Sequence, residues 1–329
     1  MIVSVLDSIR KKAAANLRTI VLPESNDQRT IDAANYILDH GIARLILIGK
    51  DDVRKKITAK DQKNLQVIDP DNYKDTERFI STYYELRKAK GMTPEEAREI
   101  MTKDWVSFGA MLVRDGRADG FVSGACHTTA NIIRAGLRCL SIDKSIGVVS
   151  GSFVMEVPDS PYGENGVLLF ADCGVNPDPN PRQLAGIAVS SAALFEKLVG
   201  KPARVAMLSY SSKGSAEGPM VDKVRQALAK AKEMAPNLTI DGEFQPDSAL
   251  VPEVAKIKCP ASDVAGKANV LIFPDLNSGN ICYKLIQRLA NARAVGPLLM
   301  GFQKPCSDLS RGCSWEDIVD AVAITAVRA

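Results

Sequence analysis

The stretch LSRGCSWEDIV, residues 309–319, gathers the side chains best suited to chemistry. Ser310 offers a hydroxyl, Arg311 a fork of guanidinium donors, Gly312 a pliable backbone and Asp317 a carboxylate. Arginine grips phosphate oxygens two at a time, which lysine does not. A nearby carboxylate can accept a proton from a nucleophile. The stretch reads as an anion holder beside a base. A plainer role competes, because Ser314 followed by Asp317 is a capping box with Asp in place of the usual Glu or Gln.

A second stretch, VSGACHTTANIIRAGLR at 122–138, follows a predicted strand and opens a helix. It sets Ser123, Thr128 and Thr129 among small residues. Hydroxyls and backbone N–H groups at a helix start suit a phosphate. Arg134 and Arg138 fall one turn apart on one helix face. An ordinary strand–turn–helix with a threonine cap explains the same residues, and His127 in such a turn is most simply a hydrogen-bonding group. In YELRKAKGM, 84–92, Arg87, Lys88 and Lys90 precede Gly91, the pattern of a solvated basic helix end. MLSYSSKGSAEG, 207–218, looks like a phosphate loop but lacks G-x-x-x-x-G-K-[ST], and G-x-G-x-x-G is also missing. FPDLNSGNICYK, 273–284, is another strand-to-helix turn, with Asn277 or Ser278 as its expected cap. No H-E-x-x-H, G-x-S-x-G or Cys/His metal spacing is present, which disfavours zinc hydrolysis and serine esterase chemistry.

The elements that must position these residues alternate between apolar strand runs and helical patterns. TIVLPES, ARLILIGK, ADGFVSGA, ARVAMLSYS, ANVLIFPDLN and AVGPLLMGF read as strands, several apolar on both faces, as in a sheet covered by helices on both sides. This is an α/β chain. At 329 residues it has room for two domains. Forty-two basic and 39 acidic residues leave a net charge of +3, with no basic block to hold nucleic acid. No apolar run approaches the roughly 20 residues that cross a bilayer. The start, MIVSVLDSIRKKAAANLR, lacks the order of a signal peptide and reads as a short amphipathic helix. Seven cysteines with no C-x-x-C pair point to free thiols in a reducing cytoplasm. Cys173, Cys259 and Cys282 lie in apolar segments and are expected to fill core.

Taken together, KPCSDLSRGCSWEDIV, YELRKAKGM, DGFVSGACHTTANIIR, LLFADCGVNP, VAMLSYSSKGSA, DGEFQPDSALVP, GKANVLIFPDLNSGNICYK and RLANARAVGPLLMGFQKP resemble, in order and over essentially the whole chain, the phosphate acetyltransferase (phosphotransacetylase) and phosphate butyryltransferase family. The resemblance implies two α/β/α domains with an interdomain cleft, similar to isocitrate and isopropylmalate dehydrogenases, and a homodimer. The expected units are 1–144 with 299–329, so that the C-terminal helix completes the first domain, and 145–298. It implies reversible conversion of acetyl-CoA and phosphate to acetyl phosphate and CoA, with coenzyme A as a substrate and no cofactor or metal.

By the same resemblance Asp317 is the base and Ser310 and Arg311 its catalytic partners. Arg87 and Arg134 match further active-site arginines that meet CoA or acyl phosphate, and the Ser123, Thr128, Thr129 turn is the expected phosphate cradle. Two positions depart from the family pattern: Ser160 stands where some members have cysteine, and Ser248 where alanine is more usual. The expected step is thiolate attack on the acetyl carbonyl. A free thiol titrates near pH 8.5, about four to five units above a free aspartate, so proton transfer needs burial of the carboxylate or near-concerted attack. Three alternatives differ in chemistry: a butyryl-specific enzyme, an NAD-dependent decarboxylating dehydrogenase, for which no metal-binding carboxylate set is evident, and a non-catalytic regulatory domain of the same fold.

Overall fold

A computed structural model describes residues 5–329. The helix read from the N-terminal stretch runs Val5–Ala15, and its first four residues lie outside the described ones. The chain forms two compact units, Met1–Ser141 with Phe302–Ala329, and Ile142–Gly301. In chain order the first unit contains α1 (Val5–Ala15), β1 (Thr19–Leu22), α2 (Gln28–Asp39), β2 (Arg44–Ile48), α3 (Asp51–Lys56), β3 (Leu65–Ile68) and α4 (Thr76–Arg87). It continues with α5 (Pro94–Lys103), α6 (Trp105–Arg114), β4 (Gly120–Ser123) and α7 (Thr129–Cys139). The second unit contains β5 (Ser150–Glu156), β6 (Val167–Ala171), α8 (Pro181–Val199), β7 (Val205–Leu208), α9 (Pro219–Met234) and β8 (Ile240–Phe244). It ends with α10 (Pro246–Leu250), α11 (Pro252–Lys258), β9 (Val270–Ile272), α12 (Leu276–Leu289) and β10 (Arg293–Met300). The chain then returns to the first unit for β11 (Cys306–Asp308) and α13 (Trp315–Arg328). The α/β class read from strand–helix alternation is the class observed.

In the first unit the strands run β3-β2-β1-β4-β11, every neighbouring pair parallel. Runs such as TIVL and RLILI are buried almost throughout, as strands covered on both faces must be. α13 explains its own near-uniform apolar sequence. Ile318 to Ala326 are all buried, against α1, α2, β1, β4 and β11. The one charge in that span, Asp320, is buried and accepts from Arg10 Nε of α1 at 2.7 Å. Gly136 of α7 lies under the Phe302 ring, where a Cβ would come within 2.6 Å of Cζ.

In the second unit the order is β10-β5-β6-β9-β7-β8, antiparallel across β10, β5 and β6 and parallel from β6 onward. α12 leaves Ile281, Leu285 and Leu289 exposed at 57%, 52% and 80%, a stripe at helical spacing. Its cap is Asp275, whose Oδ1 accepts from Ser278 N at 2.9 Å; Asn277 and Ser278, the expected caps, lie inside the first turn. Ser248 is fully buried and shares a 2.9 Å hydrogen bond with Ser212 Oγ, so its hydroxyl is used. Cys173 and Cys259 are buried as expected, while Cys282 is half-buried. Among the described residues no helix is long and apolar enough to cross a membrane.

Candidate active site

Three adjacent strands of the first unit, β1, β4 and β11, each end in a short turn that opens a helix. Asp27 caps α2, Thr128 caps α7 and Ser314 caps α13, each accepting a backbone N–H from the first turn. The chain goes one way from β1 to β2 and β3 and the other way to β4 and β11, so the strand order reverses between β1 and β4. Crevices beyond the carboxyl ends of strands at such a reversal are where ligands bind in α/β sheets.

Ser310, Arg311 and Gly312 are exposed in the turn after β11, and Asp317 is half-buried in the first turn of α13. The capping box is complete: Ser314 N donates to Asp317 Oδ2 at 2.9 Å and Asp317 N to Ser314 Oγ at 3.2 Å. That uses one carboxylate oxygen. Oδ1 accepts no hydrogen bond from any described residue, so the cap leaves half of the carboxylate available. The Arg311 guanidinium likewise makes no hydrogen bond or ion pair with a described residue. The loop itself is lightly tied, through Gly312 N to Ser310 Oγ at 3.3 Å and Cys313 N to Ser310 O at 2.9 Å.

In the turn after β4, four of the backbone donors expected for the phosphate cradle, those of Gly124, Ala125, Cys126 and His127, are taken by Glu24. Glu24, 2% exposed after β1, receives Gly124 N and Ala125 N on Oε2 at 2.8 and 2.9 Å. Cys126 N and His127 N reach Oε1 at 2.8 and 2.9 Å, and His127 Nδ1 comes within 2.7 Å of the same oxygen. Burial alone pushes the Glu24 carboxyl up, but His127 and the turn N–H groups outweigh it and hold the carboxyl below its ordinary range. The Glu24 carboxylate in turn raises His127. His127 is a hydrogen-bonding partner of Glu24, as a turn histidine would be.

The three hydroxyls expected at this turn have separate roles. Ser123 is fully buried and its Oγ has no partner among the described residues. Thr128 is the cap, with Asn131 N at 3.3 Å from its Oγ1. Thr129 donates to Asp308 Oδ2 at the end of β11. Asp308 is 1% exposed and its Oδ1 also lacks a partner among the described residues. Burial pushes its carboxyl up to about 6, against the opposing pull of Thr129, Leu309 N and Arg311. Gly124, at φ +126°, is required here: a Cβ would lie 2.5 Å from both Asp308 Oδ1 and Leu309 N.

Arg29 and Asp27 belong to the site and have no local signature in LPESNDQRT. Arg29 Nε and Nη2 donate to the two Asp27 oxygens at 3.0 and 2.7 Å. Nη2 also reaches Ala125 O at 3.0 Å, and Nη1 reaches Arg311 O at 2.8 Å and Cys313 O at 2.9 Å. The guanidinium of Arg29 holds the Asp27 carboxyl down at about 2. Cys126 donates to the same carboxylate, and burial with that contact raises its thiol to about 11, so it is not poised as a nucleophile.

The remaining two arginines stand apart from this hydrogen-bonded cluster. Arg134 is exposed on α7, its Nη1 3.0 Å from Asn131 Oδ1. Arg138, on the same helix, instead turns to Tyr83 Oη at 3.4 Å. Arg87 ends α4 and lines an open groove of about 370 Å³ with Lys90, Met92, Ile100 and Arg138; its Nε is buried without a partner among the described residues.

The phosphate acetyl/butaryl transferase family profile matches residues 4–326. The chain is 51% identical over 327 residues to a phosphate acetyltransferase of Thermoanaerobacterium thermosaccharolyticum, covering 99% of each chain. It is 48% identical to that of Clostridium acetobutylicum, covering 98% of each. The crystal structure of a phosphotransacetylase from Streptococcus pyogenes superposes with a TM-score of 0.92 at 41% identity, over 100% of this chain and 98% of that one. A loop that pairs a free guanidinium with a half-used carboxylate, and full-length similarity to these proteins, lead to one assignment: the chain belongs to the phosphate acetyl/butaryl transferase family.

Proposed function

We propose that this protein catalyses reversible acetyl transfer between coenzyme A and phosphate, as the names of its relatives state for them. The observation that carries the reading is the pairing, on one short segment, of an uncommitted Arg311 guanidinium with an Asp317 carboxylate that has one oxygen free. In the direction of acetyl-CoA synthesis, Asp317 takes the proton from the CoA thiol. The sulfur electron pair attacks the acetyl carbonyl carbon, the carbonyl electrons move onto oxygen, and their return breaks the carbon–oxygen bond to phosphate. Phosphate leaves with that bonding pair and is held by Arg311, two oxygens to one guanidinium. Ser310 Oγ donates to the sulfur or to the developing oxyanion. Arg87 and Arg134 meet the phosphates of CoA or of the acyl phosphate. No acyl-enzyme forms along this path.

Two further readings accompany it. The apolar stripe of Ile281, Leu285 and Leu289 supports a homodimer through α12, since exposed apolar surface of this regularity is costly in water. The seven free thiols support a reducing, cytoplasmic setting.

The deciding experiment is formation of acetyl-CoA from acetyl phosphate and CoA, followed by thioester absorbance. Turnover with acetyl phosphate well above that with butyryl phosphate is expected. Absence of turnover would favour a non-catalytic role, and a preference for the longer acyl chain would reassign the acyl group.

A further inference from the structure

Arg29 lies in the first turn of α2, far in sequence from the loop that carries Ser310 and Arg311, and the two are joined directly. All five N–H bonds of its guanidinium are committed: Nε and one Nη2 bond to Asp27, the other Nη2 bond to Ala125 O, and both Nη1 bonds to Arg311 O and Cys313 O. The acceptors come from the turns after β1, β4 and β11. Asp27 holds the fork from its own turn, and the three carbonyls fix where the other two turns sit.

The Ser310–Cys313 segment has little else to hold it. Ser310, Arg311 and Gly312 are exposed, a Cβ at Gly312 would meet only Ser310 Oγ at 3.9 Å, and the segment's own bonds are one long contact and one turn bond. The two carbonyls taken by Arg29 flank Gly312, the point where the segment would otherwise swing. We infer that Arg29 is a positioning residue for acyl transfer: it holds the backbone of the Ser310–Cys313 segment so that Ser310 and the Arg311 guanidinium meet the acyl phosphate beside Asp317. A lysine cannot substitute, because one ammonium group cannot span Asp27 and three carbonyls in a plane.

This inference rests on the proposed acetyl transfer, so the wild-type protein is assayed first with acetyl phosphate and CoA. Without wild-type turnover the functional reading falls, and the positioning role falls with it. With turnover, Arg29→Ala is expected to lower kcat by about 100-fold, the scale of an ångström-sized misplacement of reacting groups. The acetyl phosphate KM should rise by about tenfold while the CoA KM stays within about twofold, because Arg87 and Arg134 are untouched. Guanidinium ion at tens of millimolar should restore part of kcat in Arg29→Ala, and Arg29→Lys should remain impaired. Arg78→Ala, which removes an exposed fork on Asp115, should keep wild-type kinetics and serves as the control. A general loss of fold would lower activity equally for both substrates and would not respond to guanidinium; that pattern, or unchanged kinetics, would overturn the role. If Arg29→Ala does not fold, the substrate-specific KM change in Arg29→Lys decides the matter by itself.

Discussion

Ser123 and Asp308 stand opposite one another in the register of β4 and β11, and each carries a buried oxygen without a hydrogen-bond partner among the described residues. A carboxyl in that position is raised to about 6, so its proton is held more tightly in the folded chain than in the unfolded one. The stability it contributes is complete below about pH 4 and is lost as pH rises through about 6. At neutral pH the ionised form costs on the order of 3 kcal/mol. Asp308→Asn, which like the protonated acid carries no charge, should be more stable than wild type at pH 8 and no more stable at pH 4. Thermal unfolding of the two proteins across that range is the measurement, and parallel curves would mean that Asp308 does not titrate there.

Asp317 is both cap and proposed base, and two variants separate the roles. Asp317→Asn keeps an acceptor for Ser314 N but no longer accepts a proton. It should lose roughly 10²–10⁴-fold in kcat with little change in either KM and little change in Tm. Ser314→Ala removes the cap oxygen and should cost about 1 kcal/mol of stability while retaining most of kcat. Near-wild-type kcat in Asp317→Asn would reduce the residue to a cap.

The Arg311 guanidinium makes no hydrogen bond or ion pair with a described residue, and the Arg29 contact is to its backbone carbonyl, so a side-chain substitution should leave the fold intact. Arg311→Lys should raise the KM for phosphate and acetyl phosphate by about tenfold or more, through loss of the two-point contact. Initial rates at fixed, saturating CoA will read this directly, and an unchanged KM would remove Arg311 from phosphate binding.

Glu24 fills its backbone nest with two oxygens, each taking two N–H groups. Glu24→Gln turns one of those oxygens into a donor and strands two buried N–H groups, at roughly 2–5 kcal/mol. The pH dependence has two limbs. Glu24 is held below its ordinary range, so its contribution is present above about pH 4.5 and is lost as pH falls through its lowered value. His127 is raised, so the ion pair contributes below about pH 6.5 and fades as pH rises through its higher value. The stability gap between wild type and Glu24→Gln should therefore be widest near pH 5–6 and narrower toward pH 9. A gap that is flat with pH would mean that the pair carries no net charge coupling.

Local order in the chain made part of this site readable. The short strand Cys306–Asp308 carries no apolar run to mark it. Ser310, Arg311 and Asp317 after it are close in sequence, and a helix cap announces itself through S-x-x-D spacing, so turn and helix could be placed together. The same holds for the turn after β4, whose small residues and Thr128 cap are consecutive. Glu24 and Arg29 are different. Their partners lie about 100 and more than 280 residues away, and each looks locally like an ordinary turn or helix-start residue. The one available signal was repetition: two apolar strands, TIVL and GFVS, each followed by a turn with an Asp or Thr cap. Filling of the β4 turn by Glu24 could not be read from that turn, because an N–H nest looks the same in sequence whether its anion is a ligand or a distant side chain. The cap of α12 was misplaced for a smaller reason: Asp275, Asn277 and Ser278 are all good caps, and only the backbone direction after β9 selects among them.

The occupied nest also has a consequence for the medium in which the protein works. Backbone dipoles are fixed and partly shielded from ions, whereas an exposed guanidinium sits in the ionic atmosphere, whose screening length is about 8 Å at physiological salt. With the Gly124–His127 N–H groups taken by Glu24, the proposed phosphate contacts rest the more on Arg311 and its fellow side-chain cations. Retention of the anion then weakens as ionic strength rises, and product leaves faster. A reversible transfer enzyme that must let go of phosphate in either direction gains from a grip that its own solvent can loosen.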